Sequence, residues 1–155
     1  MAIGIEDNLT VVCASHNGVN RIPLLIESIQ NNVKKPKEII ICGTHESDIS
    51  LVSKDILKKN NVSFIVSKYK NQIYQRDLAL SKVKTHYILQ LDDDLILDSN
   101  AIEYYCQHFM GSNSDKKVVC GYTVFPNGEH MSQRVKDLYG GSKLVRLSYS
   151  IINGF

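Results

Sequence analysis

A chain of 155 residues, 43% hydrophobic and 22% charged, has the size and composition of one globular domain with a single sizeable core, which excludes a disordered polypeptide. Its formal net charge of +2, without a stripe of Lys and Arg interleaved with aromatics, argues against nucleic acid as a partner. No secretory leader precedes the first apolar segment, and no apolar run approaches the ~20 residues that cross a bilayer, so a soluble protein is expected.

Residues 9–14 form a short apolar run around Val11 and Val12, long enough for a buried strand and too short for a helix. The run breaks into a small polar loop, Ser15, His16, Asn17 and Gly18. Asn20 then suits a helix cap, Pro23 suits the first turn, and Ile22, Leu25, Ile26, Ile29 and Val33 follow the spacing of one buried stripe. A second strand is predicted over 38–42, ended by Gly43 and Thr44. A helix over 46–59 would turn Ile49, Val52 and Ile56 inward, and a third strand occupies 62–66.

The next helix, 72–83, carries an anomaly. Ile73, Arg76, Leu80 and Val83 lie within about 80° of one another at helical periodicity, which puts Arg76 on the apolar face. Two readings fit: an arginine snorkelling from the edge of that face, or a guanidinium aimed at a phosphate or at nearby aspartates. A fourth strand over 86–91 delivers Asp92, Asp93 and Asp94 at its carboxyl end. Asp98 or Ser99 then caps a helix with Ile102, Tyr105, Cys106 and Phe109 inward. A fifth strand is expected at 118–124, a short helix near 135–138 and a further strand at 144–152. The cysteines Cys13, Cys42, Cys106 and Cys120 lack CxxC spacing and sit in or beside apolar runs. They read as buried reduced thiols of a cytoplasmic protein, not as zinc ligands or a disulfide framework.

Strands alternating with helices predict an α/β domain: a Rossmann-like, mostly parallel sheet with helices on both faces. Ligands of such sheets bind at the carboxyl ends of the strands, so the loops 15–18, 43–47, 67–72 and 92–94 converge on one edge. His16 and His45 fall on that edge, in reach of a phosphate or a base. Three adjacent carboxylates between apolar flanks repel one another, and a hard divalent cation such as Mg²⁺ or Mn²⁺ offsets that repulsion. A solvated acidic turn is the plainer alternative. Neither GxGxxG nor GxxxxGK[ST] occurs, which argues against dinucleotide binding and P-loop phosphoryl transfer.

Taken together, these segments resemble the family-2 glycosyltransferases of the GT-A fold. Residues 10–17, ending in Ser15, His16 and Asn17, are similar to that family's first strand and nucleotide loop, and 37–41 to its second strand. Asn71 followed by Gln75, Arg76 and Asp77 is similar to its "N…ARN" helix start, and 87–94 to its strand ending in the DxD motif. The resemblance implies a nucleotide-diphosphate sugar donor, uridine-linked, and Mn²⁺ or Mg²⁺ as cofactor. It implies that Asp94 binds the metal, that Asp92 contacts the ribose or helps orient the metal, and that Asp93 shares either role. It further implies that Ser15 and Asn17 border the nucleotide, that Asn71 lies at the substrate, and that Arg76 lies below it. The family's aspartate pair after the second strand is missing here, and Thr44 or Glu46 stands in its place.

The single domain over 1–155 is thus expected to hold a donor-binding core at 8–125 and the start of an acceptor-side region at 126–155. The family's general base lies further downstream, so no residue here is named as one. A saccharide or lipid-linked acceptor, and peripheral association with the inner face of a membrane, follow from family analogy alone. A haloacid-dehalogenase-type phosphohydrolase and a receiver domain both expect their aspartates on the first strand, where this chain has Ser15, His16 and Asn17. A non-catalytic domain that keeps the fold is the other alternative.

Overall fold

The computed structural model describes residues 6–110. The strands expected at 118–124 and 144–152, the helix at 135–138 and the side chain of Phe109 lie outside the described residues. The chain divides into two compact units, Met1–Cys106 and Gln107–Phe155, and the sheet belongs to the first.

Four strands, β1 (Leu9–Ala14), β2 (Glu38–Gly43), β3 (Val62–Val66) and β4 (Tyr87–Asp92), form an all-parallel sheet in the order β3-β2-β1-β4. Register sets Val11 beside Ile39 and Leu89, and Cys13 beside Ile41 and Leu91. These residues share one face, which packs against Ile22, Leu25, Ile26 and Ile29 of α1 (Ile22–Gln30) and against Ile102 and Cys106 of α4 (Ala101–Met110). The opposite face carries Val12, Ile40 and Cys42 and is covered by Ala79 of α3 (Gln72–Leu80). Burial on both faces explains why β1 is apolar at nearly every position, whereas the edge strands leave Val66 and Ile88 exposed.

The strand order positions the site. The chain builds outward from β1 to β3, and α3 then carries it back so that β4 pairs with the other side of β1. The direction of growth therefore reverses between β1 and β4, and the carboxyl ends of those two strands border the crevice.

Three predicted helices differ in detail. The first begins at Ile22 behind Arg21, with no side-chain cap, so Asn20 is not the cap. The Gly18 carbonyl instead accepts the amides of Arg21 and Ile22 at 2.9 and 2.8 Å. That helix stops at Gln30, so Val33 falls outside it and is exposed. The predicted 46–59 helix is a 3-10 turn, Glu46–Ile49, followed by α2 (Lys54–Lys59). Ser53 restarts the helix by accepting the Ile56 amide at 3.3 Å, and the new phase exposes Ile56 and packs Leu57 inward. In α3 the buried positions are Gln75 and Ala79, and Ile73 is 78% exposed. Counting apolar residues misplaces that stripe because a buried glutamine, whose amide nitrogen is hydrogen-bonded, occupies its centre.

Asn32 is another buried polar residue, 1% exposed. Its amide donates to the Ser28 carbonyl at 2.9 Å, and its oxygen accepts the Ile102 amide at 3.0 Å. It thereby satisfies one of the amides that the first turn of α4 leaves without an intrahelical partner. Replacing Asn32 with Ala is expected to destabilise the fold by about 1–3 kcal/mol. Urea unfolding checks this, and a midpoint equal to that of the exposed Lys58→Ala control would contradict it.

Burial raises the Cys13 thiol far above its ordinary value of 9.0, with the charges of Asp93 and Asp92 adding to the effect. A thiol that stays neutral when folded stabilises the fold below its unfolded pKa, and that contribution is lost as pH rises through 9.0 and beyond. At one pH unit above that value, wild type should lose about 1 kcal/mol more than Cys13→Ala does. Denaturation at pH 8 and pH 10 compares the two, and identical slopes would contradict the prediction.

Candidate functional site

Asp92 is the last residue of β4, and Asp93 and Asp94 open the turn that follows. The structure meets two of these charges with guanidinium groups. Arg76 on α3 contacts Asp92 Oδ1 at 2.5 Å, and Gln72 Nε2 donates to the same oxygen at 3.3 Å. Arg21, at the start of α1, contacts Asp93 Oδ2 at 2.9 Å, and the Ser15 hydroxyl donates to that oxygen as well. The hydrogen bond that Arg21 donates to Asp93 raises the guanidinium above its already high range, so it stays charged. Asp94 is exposed and has no hydrogen-bond partner among the described residues. Of the two readings of Arg76, the one directed at the aspartates matches the geometry.

Arg21 is the partner that sequence reasoning missed. A cation at a helix N-terminus opposes the helix dipole, and that misplacement is the signal that could have found it. Its Nη2 also donates to the His16 carbonyl at 2.9 Å, tying the loop after β1 to the loop after β4. Gly18 stands inside this contact. A Cβ there would collide with the Ser15 hydroxyl and lie 2.9 Å from Asp93 Oδ2. Asn17, beside it, takes a left-handed backbone with φ of 54°, and its exposed side chain makes no hydrogen bond among the described residues.

A second cluster follows β2. Asp48, 3% exposed, accepts the amides of Thr44 and His45 at 2.9 and 3.1 Å and the Thr44 hydroxyl at 3.3 Å. This buried carboxylate was not singled out from sequence, although its place three residues after His45 fits a capping box. Its charge is taken up by the turn. Thr44 also lies 2.9 Å from His16 Nδ1, so the β1 and β2 loops meet through these two side chains. Glu46 is exposed in the 3-10 turn and joins neither cluster. Asn71 caps α3 by accepting the Tyr74 amide at 3.0 Å, which gives its side chain a structural task at the position named from sequence.

The first cluster borders a pocket of about 310 Å³ whose walls include Ser15, His16, Arg21, Lys70, Gln75 and Asp93. Two cations therefore face a cavity of the size that small ligands occupy. Of the sequence-named residues, Ser15 and Asp93 share one hydrogen-bonded group with Arg21, and Arg76 and Asp92 share a second with Gln72, with Thr44 bonded to His16 beside the first. Asn17 and Asp94 are exposed, and neither side chain makes a hydrogen bond among the described residues.

Among the described residues no three His, Cys, Asp or Glu side chains gather closely enough to hold a metal. Asp92 is bound through Oδ1 and Asp93 through Oδ2, which leaves one oxygen of each, and both of Asp94, without a partner among the described residues. Magnesium-type cations typically use one or two carboxylates and fill the remaining positions with waters and substrate phosphates. The hard oxygen donors here suit that arrangement and do not make an all-protein cage.

The glycosyl transferase family 64 domain matches residues 9–152 of the chain. The chondroitin synthase of Pasteurella multocida (strain Pm70) and the hyaluronan synthase of Pasteurella multocida are each 30% identical over 121 residues, 77% of this chain and 12% of theirs. This chain thus spans about an eighth of those relatives. Among solved structures, the mannosyltransferase PcManGT from Pyrobaculum calidifontis, in complex with GDP-Man and Mn²⁺, aligns with TM-score 0.63 at 12% identity, over 86% of this chain and 47% of that one. S. aureus TarS 1-349 aligns with TM-score 0.58 at 13% identity, over 79% and 43%. A cytidylyltransferase from Leptospira borgpetersenii aligns with TM-score 0.55 at 16% identity, over 90% and 66%. At such identities the structures establish a fold, the GT-A-like α/β fold expected from sequence, and a cytidylyltransferase shares it. The resemblance to glycosyltransferases holds at the level of the family, and the matched family carries the number 64 where the motifs are similar to family 2. The chain belongs to the glycosyl transferase family 64 domain family.

Proposed function

We propose that this chain is the donor-binding part of a metal-dependent glycosyltransferase, taking a nucleotide-diphosphate sugar, uridine-linked, at the β1/β4 crevice. The observation that carries the reading is the asymmetry of the three aspartates. Asp92 and Asp93 are held by Arg76 and Arg21, whereas Asp94, exposed and without a partner among the described residues, directly follows Asp93, which lines a pocket together with Arg21 and Lys70. Asp94 is the metal ligand in this reading, with the remaining oxygen of Asp92 assisting. A divalent cation there would neutralise the charge that develops on the leaving diphosphate. The chain's own groups do the rest: Arg76 orients Asp92, Ser15 and Arg21 orient Asp93, and the Arg21 and Lys70 cations attract the diphosphate.

Two of the structural neighbours support the ligand class, one solved with GDP-Man and Mn²⁺ and one with UDP. The polysaccharide-synthase names of the Pasteurella relatives support a saccharide acceptor over a lipid-linked one. Three free, buried thiols, Cys13, Cys42 and Cys106, support a cytoplasmic setting. Among the described residues no helix is long and apolar enough to cross a membrane, and peripheral attachment to its inner face remains part of the family analogy. No described residue is assigned as the general base.

Titration calorimetry with UDP and GDP, with and without Mn²⁺, tests the reading. Binding should require Mn²⁺ and favour UDP, and Asp94→Ala should weaken it at least tenfold, about 1.4 kcal/mol. Binding of equal strength without metal, or unaltered by Asp94→Ala, would overturn the site.

A further inference from the structure

Gln75 is the one residue of α3 whose side chain reaches the ends of two strands. It is 2% exposed, and its Nε2 donates to the Ser15 carbonyl at 2.5 Å and to the Cys42 carbonyl at 2.9 Å. The Ser15 amide also donates to Cys42 O at 2.9 Å, so one carboxamide closes the gap between the end of β1 and the end of β2. Both acceptors are main-chain oxygens, which identifies the amide nitrogen without ambiguity and occupies both of its protons.

The amide oxygen is left over. It has no hydrogen-bond partner among the described residues, and it is absent from their buried unsatisfied side-chain atoms, which are only Arg21 Nε and Arg76 Nε. An unpartnered atom outside that set is reachable by solvent, and Gln75 lines the pocket. Its oxygen therefore offers a fixed acceptor to whatever the pocket holds. An acceptor repels phosphate oxygens, for which Arg21 and Lys70 on the same walls are suited. What it complements is a neutral group that donates an N–H or O–H.

We propose that Gln75 positions the β1/β2 edge of the pocket and that its Oε1 accepts a hydrogen bond from the nucleoside part of the donor, a base N–H or a ribose hydroxyl. This rests on the donor-site reading above and adds a specificity-determining contact to it. Neighbouring side chains extend the same logic: Arg76 and Gln72 of α3 both contact Asp92, so one helix sets the ends of β1, β2 and β4 together. A buried acceptor-donor pair discriminates strongly against ligands that lack the donor, because the acceptor is then left unpaired.

Calorimetry in Mn²⁺ compares UDP with inorganic pyrophosphate, which has no nucleoside, in wild type and in Gln75→Met, which is close in shape and has neither donor nor strong acceptor. Gln75→Met should weaken UDP about tenfold or more and leave pyrophosphate within about twofold. Equal losses for both ligands, or no loss for either, would overturn the proposal. A second arm needs no variant. Among 3-methyl-UDP, 2′-deoxy-UDP and 3′-deoxy-UDP, the analogue lacking the bonded donor should bind wild type about tenfold more weakly than UDP. Three analogues that all bind like UDP would overturn the proposal even if Gln75→Met does not fold. Wild type that binds pyrophosphate and UDP equally would overturn the Gln75 contact alone, whereas wild type that binds neither would overturn the donor site itself.

Discussion

Three carboxylates in succession at the end of a strand are tolerable only where something answers their charge. Here two arginines from different helices do so, and their placement organises the edge of the sheet. Arg21 joins the start of α1 to Asp93, and Arg76 joins α3 to Asp92. The Arg21–Asp93 pair spans 72 residues and the Arg76–Asp92 pair 16, so the loop after β1, the loop after β4, the start of α1 and the middle of α3 are tied together. Asp93 shows 13% side-chain exposure against 50% for Asp92, so Asp93 is the more deeply set acid, although its partner Arg21 is more exposed than Arg76. Solvent screens the Asp93 carboxylate less than that of Asp92, so Asp93 contributes more to holding the loops, and in the proposed function the wetter Asp92 and Asp94 meet the ligand.

This division separates what the aspartate triplet does for the fold from what it offers to chemistry. Removing Arg21 would leave a largely buried carboxylate without its cation, a larger penalty than losing an exposed pair. Ser15 and Gly18 belong to the same constraint: the serine hydroxyl reaches Asp93 only because no Cβ stands at residue 18. The small polar loop after β1 is therefore shaped by the acid it supports as much as by any ligand.

Much of this was legible in the sequence. The strand-helix alternation and the arrival of Asp92, Asp93 and Asp94 at a strand's carboxyl end follow from hydrophobic periodicity and length, and the sheet order agrees with the crevice they imply. Arg76 was visible as an intrusion on an apolar stripe, even though the stripe itself was misplaced. What periodicity missed were side chains whose polar groups find partners inside the fold. Asn32, Asp48 and the amide nitrogen of Gln75 are buried and bonded, and a pattern that counts only apolar residues reads each of these residues as solvent-facing. Asn71 shows the converse: a polar residue in a family-like motif whose side chain caps a helix. Element boundaries shifted for similar local reasons, since a single Ser53 hydroxyl divides what looked like one helix into two pieces.

The proposed function rests on one claim, that the Asp94 edge of the β1/β4 crevice holds a divalent cation together with a nucleoside diphosphate. Paramagnetic broadening of backbone amide signals by Mn²⁺ in the presence of UDP tests this most directly, because it locates the ion without requiring transfer. The account predicts loss of signal centred on Asp92, Asp93 and Asp94 and extending to Ser15 and Gly18, with β3 and α2 unaffected. Broadening centred away from the ends of β1 and β4, or signals unchanged by Mn²⁺ and UDP together, would contradict it.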